Sequence, residues 1–230
     1  MDFQMTVLDV GQGQSILFQS DGQCWLVDCG GDSDTETADI VSETLLSRGI
    51  NQLNGVILTH YDRDHAGALE NLLARIPVQR LILPETEEIP YGYNDNSVIE
   101  APTVVEFGQT AIRLYPSKVP EYHNENSLCV LFETQNCAIL ITGDRSSLGE
   151  RILLREAALP DVDVLIAGHH GAGDSTGEAL LSAVKPETVI ISVGEENPYG
   201  HPSPALLRRL EAFGCDVYRT DLHGEILYRR

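Results

Sequence analysis

The chain has 230 residues with 15 basic and 35 acidic side chains, a formal net charge of −20, which argues against nucleic-acid binding through a broad basic surface. A hydrophobic share of 42% supplies a sizeable core, yet no apolar run approaches the ~18–20 residues of a membrane span and Met1-Asp2-Phe3-Gln4 lacks the regions of a signal peptide. The chain itself is therefore expected to be soluble, although it could be a domain cut from a larger membrane protein. Residues 1–143 hold 6 basic and 21 acidic side chains against 9 and 14 in residues 144–230, so an anionic polymer is repelled less on the C-terminal side. The five cysteines are odd in number and lack CxxC spacing, which predicts buried free thiols. Cys29, beside Asp28, is the one to watch.

Taken in order, Thr6–Val10 and Ser15–Gln19 alternate as strands around the turn Gly11-Gln12-Gly13-Gln14, and Asp21-Gly22 signals a hairpin into a third strand at Gln23–Val27. That strand ends in Asp28-Cys29-Gly30-Gly31, a tight turn suited to a nearby ligand. Thr37–Arg48 has helical spacing and stops at Gly49. Gln52–Leu58 is a strand, and it feeds Thr59-His60-Tyr61-Asp62-Arg63-Asp64-His65-Ala66-Gly67, followed by a helix over Ala66–Arg75. Alternate residues of an extended loop share a side, so His60, Asp62 and Asp64 can converge, and His65 turns in as the helix starts. A solvated loop with accidental histidines is the plain alternative. Only seven histidines exist in the chain, however, and others recur in similar settings.

Val78–Leu83 is a strand and Glu85–Ser97 a polar loop. Strands follow at Thr103–Glu106, Ala111–Tyr115, Ser127–Thr134 and Ala138–Thr142, the last ending in Gly143-Asp144. Leu148–Ala157 is helical. Val162–Ile166 is a strand ending in Gly168-His169-His170-Gly171. A helix at Glu178–Val184, a strand at Thr188–Val193, a helix at Pro204–Phe213 and strands at Asp216–Arg219 and Glu225–Arg229 complete the chain. The two halves look alike in kind, which predicts two sheets packed face to face with helices outside, an α/β (α+β) αββα four-layer sandwich.

Three strand ends thus carry ligand-type residues. Imidazole and carboxylate suit zinc or manganese, and a carboxylate such as Asp144 can bridge two ions. The expectation is two divalent cations, with His60 and Asp62 on one and Asp64, His65 and either His169 or His170 on the other. Asp62, Asp64 and Asp144 offset most of the charge of two such ions, so a phosphodiester anion is not repelled. Bound water would acidify toward ~7. A structural zinc would prefer a closed, cysteine-rich set.

The segment from His60 to His65, Thr142-Gly143-Asp144 and His169-His170-Gly171 resemble the metallo-β-lactamase superfamily. More narrowly, the chain is similar to the C-terminal domains of the ComEC family of DNA-uptake competence proteins. Leu8-Asp9-Val10-Gly11-Gln12-Gly13, Val27-Asp28, Asn124-Glu125-Asn126-Ser127-Leu128, Asn197-Pro198-Tyr199-Gly200-His201-Pro202 and Arg219-Thr220-Asp221-Leu222-His223-Gly224 extend that likeness. It implies one αββα domain over residues 1–230 and a nuclease that degrades DNA, single-stranded, during uptake. It further implies a transmembrane channel portion of the same protein as partner, and a place on the extracytoplasmic face of the membrane. A stand-alone enzyme would instead be cytoplasmic.

The resemblance implies metal positions at His60, Asp62, Asp64, His65, Asp144 and, of the pair, His170. It gives catalytic roles to Asp64, His201 (proton donation or phosphate binding) and His169 (facing substrate), and supporting or substrate roles to Asp28, Asn124, Ser127 and Ser175. Asp62 stands where the wider superfamily has His, which tilts preference from zinc toward manganese. Gln14 and Ala172 also depart from the narrower pattern. A third histidine for the first ion has no obvious match, since His123 only lies in the right region and a water or Asn is preferred. Two other readings are a hydrolase of small esters, such as a phosphorylcholine ester or a lactone, and a DNA-guiding module whose metals are lost.

Overall fold

A computed structural model describes residues 3–85, 97–117 and 126–230. In the N-terminal half the elements are β1 (Gln4–Val7), β2 (Ile16–Ser20), β3 (Gln23–Val27), α1 (Asp34–Ser47), β4 (Gly55–Ile57), α2 (Arg63–Ala66), α3 (Leu69–Leu73), β5 (Leu81–Pro84), β6 (Ser97–Ile99) and β7 (Thr103–Phe107). Then come β8 (Thr110–Tyr115), β9 (Cys129–Glu133), β10 (Ala138–Ile141), α4 (Ser147–Glu156), β11 (Val164–Ile166), a 3₁₀ turn at Gly168–Gly171, α5 (Glu178–Val184), β12 (Thr188–Ile191), α6 (Pro204–Phe213), β13 (Asp216–Arg219), α7 (Thr220–His223) and β14 (Ile226–Arg229).

The strands form two mixed seven-stranded sheets, ordered β14-β1-β2-β3-β4-β5-β6 and β13-β12-β11-β10-β9-β8-β7. Side chains alternate across each strand, so each sheet has an inner and an outer face. Ile16, Phe18, Trp25 and Val27 point inward to meet Val130, Phe132, Ile139 and Ile141 of the other sheet, with the Phe18 and Phe132 rings stacked at 3.7 Å. Leu17 and Leu26 point outward to Ala38, Val41 and Leu45 of α1 and Leu69 and Leu72 of α3. Leu131 and Leu140 face Leu180 and Leu181 of α5 and Leu206 and Leu210 of α6. These three apolar layers give the expected four-layer αββα sandwich.

Several boundaries differ from the sequence reading. Helix α1 starts at Asp34 because the Ser33 hydroxyl accepts from the Glu36 amide, capping the first turn. The single helix expected over Ala66–Arg75 is two short ones. The Ala68 amide donates to the Cys29 carbonyl instead of continuing a longer α2, and this docks the motif loop on the end of β3. Strand β14 joins the N-terminal sheet, pairing antiparallel with β1 at Val7–Ile226. Strand β6 and helix α7 had no clear sequence signal. The loop expected at Glu85–Ser97 falls mostly outside the described residues, with Ser97 already in β6. All five cysteines are free. Cys29 is fully buried, and burial with the neighbouring Asp28 charge pushes its thiol upward, so it is no ready nucleophile. Among the described residues no helix is long and apolar enough to cross a membrane.

Candidate metal centre

Four strand ends meet at one edge of the sandwich. Asp28 follows β3 with φ 59°, the left-handed region, so its carboxylate turns back under the β4 loop. There the Asp28 Oδ1 accepts from the Thr59 amide at 2.7 Å, and its Oδ2 accepts from the Thr59 hydroxyl at 2.8 Å and the Gln14 amide nitrogen at 2.7 Å. The same Oδ2 lies 2.8 Å from His65 Nδ1. Gly30 sits so close to the motif that a Cβ there would lie 2.3 Å from the His65 amide nitrogen; only glycine lets the two loops touch.

These bonds settle the imidazole tautomers. The His65 Nδ1–H donates to the Asp28 carboxylate. His170 Nδ1–H donates to the Ser192 carbonyl at 3.0 Å, because a carbonyl only accepts. The Thr59 proton is spent on Asp28, so His60 Nδ1–H donates to the Thr59 oxygen at 3.1 Å. In its neutral form each ring therefore carries its lone pair on Nε2. Two of these, His65 Nε2 and His170 Nε2, are 3.1 Å apart in a buried setting. Asp144 Oδ1 lies 3.0 Å from the first and Asp64 Oδ2 3.3 Å from the second. Lone pairs converging at such distances repel unless a cation lies between them, and a tetrahedron with ~2.0–2.1 Å bonds has edges of ~3.3 Å. His60 Nε2 and Asp144 Oδ1 are buried without a hydrogen-bond partner. His60 Nε2 is 3.5 Å from Asp144 Oδ2 and 3.8 Å from Asp62 Oδ2.

Among the described residues two groups could therefore hold cations: Asp64, His65, Asp144 and His170, and beside it His60, Asp62 and Asp64. Asp64 belongs to both, while Asp144 reaches both through its two oxygens. The electrostatics agree. Burial alone would raise the Asp144 carboxyl, but the His65 charge beside it holds it well below the usual carboxylate range. Burial would lower His65, yet the Asp144 and Asp28 charges hold it well above its ordinary value. Without a cation, a proton takes the cation's place.

The paired histidines diverge. Both have left-handed backbone, φ 49° at His169 and 52° at His170, which turns their rings apart. His170 is buried beside His65, whereas His169 is partly exposed with Nε2 3.6 Å from Asp144 Oδ2. His201 faces His169 at 5.8 Å between ring centres. Both line the open cavity above the cluster, about 440 Å³ in volume. Ser127 and Ser175 are fully buried. The Ser127 hydroxyl accepts from the Asp144 amide at 3.1 Å. Asn124 and His123 lie outside the described residues.

Other supports carried no motif. The Arg145 guanidinium is buried and donates to the Ser127 and Tyr115 carbonyls, each at 2.8 Å, bracing the Asp144 turn. Glu150 accepts from the Thr176 and Gly177 amides and holds the loop after His170. A charged residue inside an otherwise apolar helix face hints at such a buried role, but a backbone acceptor such as Ser192 leaves no sequence signal. Gln14, a departure from the narrower pattern, occupies one acceptor site of Asp28. Asp28→Asn is expected to weaken cation affinity about 10–100-fold, read by chelator competition on folded protein. Unchanged affinity would show that Thr59 and Gln14 alone hold the loop.

The family model of the metallo-beta-lactamase superfamily matches residues 8–195. The chain is similar to ComE operon protein 3 of Bacillus subtilis, with 30% identity over 98% of this chain and 33% of that protein. It is also similar to Competence protein ComA of Neisseria gonorrhoeae, with 30% identity over 97% of this chain and 32% of that protein. It thus spans about a third of the length of these curated relatives. Among solved structures, the metallo-beta-lactamase fold protein YhfI from Bacillus subtilis aligns over 100% of both chains with TM-score 0.67 and 14% identity, a likeness of fold alone. With a match running from the end of β1 past β12, on top of the same layered architecture, the chain belongs to the metallo-β-lactamase superfamily.

Proposed function

We propose that this chain is a two-metal phosphodiesterase that degrades single-stranded DNA during DNA uptake, residues 1–230 acting as one domain beside the transmembrane channel portion of the same protein, on the extracytoplasmic side. The observation that carries the reading is the convergence of the bare His65 and His170 Nε2 atoms with the Asp64 and Asp144 carboxylates. The likeness to a competence protein supports a place in DNA uptake, and DNA as substrate is part of the proposal. His60 and Asp62 would complete a second position, with Asp64 and Asp144 shared. Two divalent ions held there by Asp64, Asp144 and the three histidines would supply Lewis-acid chemistry, acidifying water toward neutral pH and offsetting phosphoryl charge. The oxygen-rich set, Asp62 in particular, favours manganese over zinc.

The chain's own groups divide the remaining work. Asp28, with Thr59 and Gln14, fixes the proton of the neutral His65 ring on Nδ1, so that its lone pair sits on Nε2. Ser192 does the same for His170. His169 faces the cavity, where its ring can meet substrate. Burial, and then the neighbouring His169 and His170 charges, pull the His201 imidazole below its ordinary value. A lowered value favours the neutral ring, which can bind phosphate through a ring N–H.

A hydrolase of small esters is the second reading, favoured by the net charge of −20. The test is a substrate panel on protein stripped with chelator and reloaded with manganese or zinc: single-stranded oligonucleotide, a phosphorylcholine ester and a lactone. Cleavage of the oligonucleotide at a rate above the other two is expected. Turnover of the lactone or choline ester alone overturns the nuclease reading. DNA binding that survives metal removal without any hydrolysis would point to a guiding module.

A further inference from the structure

The loop between β12 and α6 holds its most exposed aromatic side chain over the metal centre. Tyr199 is 67% exposed and lines the same cavity as Asp64, Asp144, His169 and His201. Its ring lies nearly parallel to the His201 ring, 5.9 Å between centres and 19° between planes. The loop that carries it is tied down rather than loose. The Asn197 amide nitrogen donates to the Gly194 and His201 carbonyls at 3.0 and 2.7 Å, and the His201 amide donates back to Asn197 Oδ1 at 3.0 Å. The Gly194 amide in turn donates to the Gln12 side chain. Gly200, with φ 72°, lets the chain reverse beside the ring. Among the described residues no hydrogen bond engages the Tyr199 hydroxyl, and the ring contributes to no apolar layer of the fold. A rigid apolar face kept in water at the mouth of a site is a binding feature rather than a packing one.

The charge of the chain makes such a feature necessary. Beyond the carboxylates that would hold cations, the cavity wall carries Asp32, and Arg63 on the same wall is paired with Asp34 at 3.0 Å. Phosphate contacts along a strand, the usual source of affinity, are therefore scarce. Stacking on an aromatic face grips any base without regard to sequence and needs no positive charge.

We propose that Tyr199 is the base-binding subsite of this centre: a nucleobase next to the phosphodiester seated over Asp64 and Asp144 stacks on its outer face. This rests on the single-strand phosphodiesterase reading and deepens it by naming the contact that selects an unpaired base, since a base inside a duplex has no free face. Tyr199 is a specificity residue; it takes no part in bond cleavage.

The test compares wild type, Tyr199→Ala and Tyr199→Phe, all loaded with manganese, on oligo-dT and on a strand of the same length built from abasic sugars. On oligo-dT, Tyr199→Ala should raise KM about tenfold with kcat nearly unchanged, and Tyr199→Phe should match wild type. On the abasic strand all three proteins should behave alike. An unchanged KM for Tyr199→Ala on oligo-dT overturns the proposal. So does an equal loss on both strands, which would mean that the ring acts by positioning His201. If wild type cuts neither strand, the hydrolase reading fails, and fluorescence anisotropy of the two labelled strands decides this proposal by itself. A tenfold weaker grip of Tyr199→Ala on oligo-dT supports it, and equal binding overturns it.

Discussion

Asp64→Ala is expected to lower single-strand DNA hydrolysis by about 10⁴-fold or more, roughly 5.5 kcal/mol of barrier. Asp64 is the residue common to both ligand groups. Burial raises its carboxyl, but the His170 ring beside it and the His65 charge outweigh that and lower it. At neutral pH it is an anion held against two imidazoles. Removing it opens both cation positions at once, whereas loss of Asp62 opens one. Its side chain is a third exposed, so the fold should survive. Metal content by mass spectrometry should fall together with the rate. A variant that keeps full metal content and stays within tenfold of the wild-type rate would show that Asp64 is not shared, and the two-metal account would fail with it.

The second large effect is on stability. At a free cation concentration 1,000 times its Kd, binding stabilises the native state by ~4 kcal/mol. At about 2–4 °C per kcal/mol for a chain of this size, Tm should rise by about 8–16 °C. The pH dependence should differ between the two forms. In stripped protein His65 is raised above its ordinary 6.5, so its contribution is whole below pH 6.5 and drains away as pH climbs through the raised value. Asp144 is depressed below 3.8, so its contribution is present above that pH and is lost as pH falls through the depressed value. Stripped protein is therefore most stable between the two. In loaded protein the cation replaces the His65 proton, and raising the pH removes the competitor. The gap in Tm between loaded and stripped protein should widen from pH 5.5 to 8.5, read by calorimetry. A gap that stays constant would mean that His65 does not exchange a proton for the cation.

The sequence by itself determined the layer order and pointed to most of the candidate ligands, for a physical reason. Alternation with period 2 and helical spacing are local, and they mark which face of β2, β3, α5 or α6 must be buried. The segment from His60 to His65 is local too, so its convergence follows from an extended loop running into a helix. Asp144 and the paired histidines could be recognised because each follows an apolar run at a strand end.

Tertiary structure alone decided the rest. Sequence left His169 and His170 nearly equal, since adjacent residues carry the same chemistry. The left-handed backbone at both, and the Ser192 carbonyl from a different strand, send His170 to His65 and His169 to the cavity. Gln14 departs from the narrower pattern in sequence, and only the fold brings its side-chain amide to donate to Asp28 Oδ2. Arg145 and Glu150 carry no motif, because their partners are backbone groups brought near only by folding. The pairing of β14 with β1 spans more than two hundred residues of chain, and no local pattern encodes a contact of that length. Composition and periodicity say which side chains must be hidden; which distant strand ends meet is set by the packing of the two sheets.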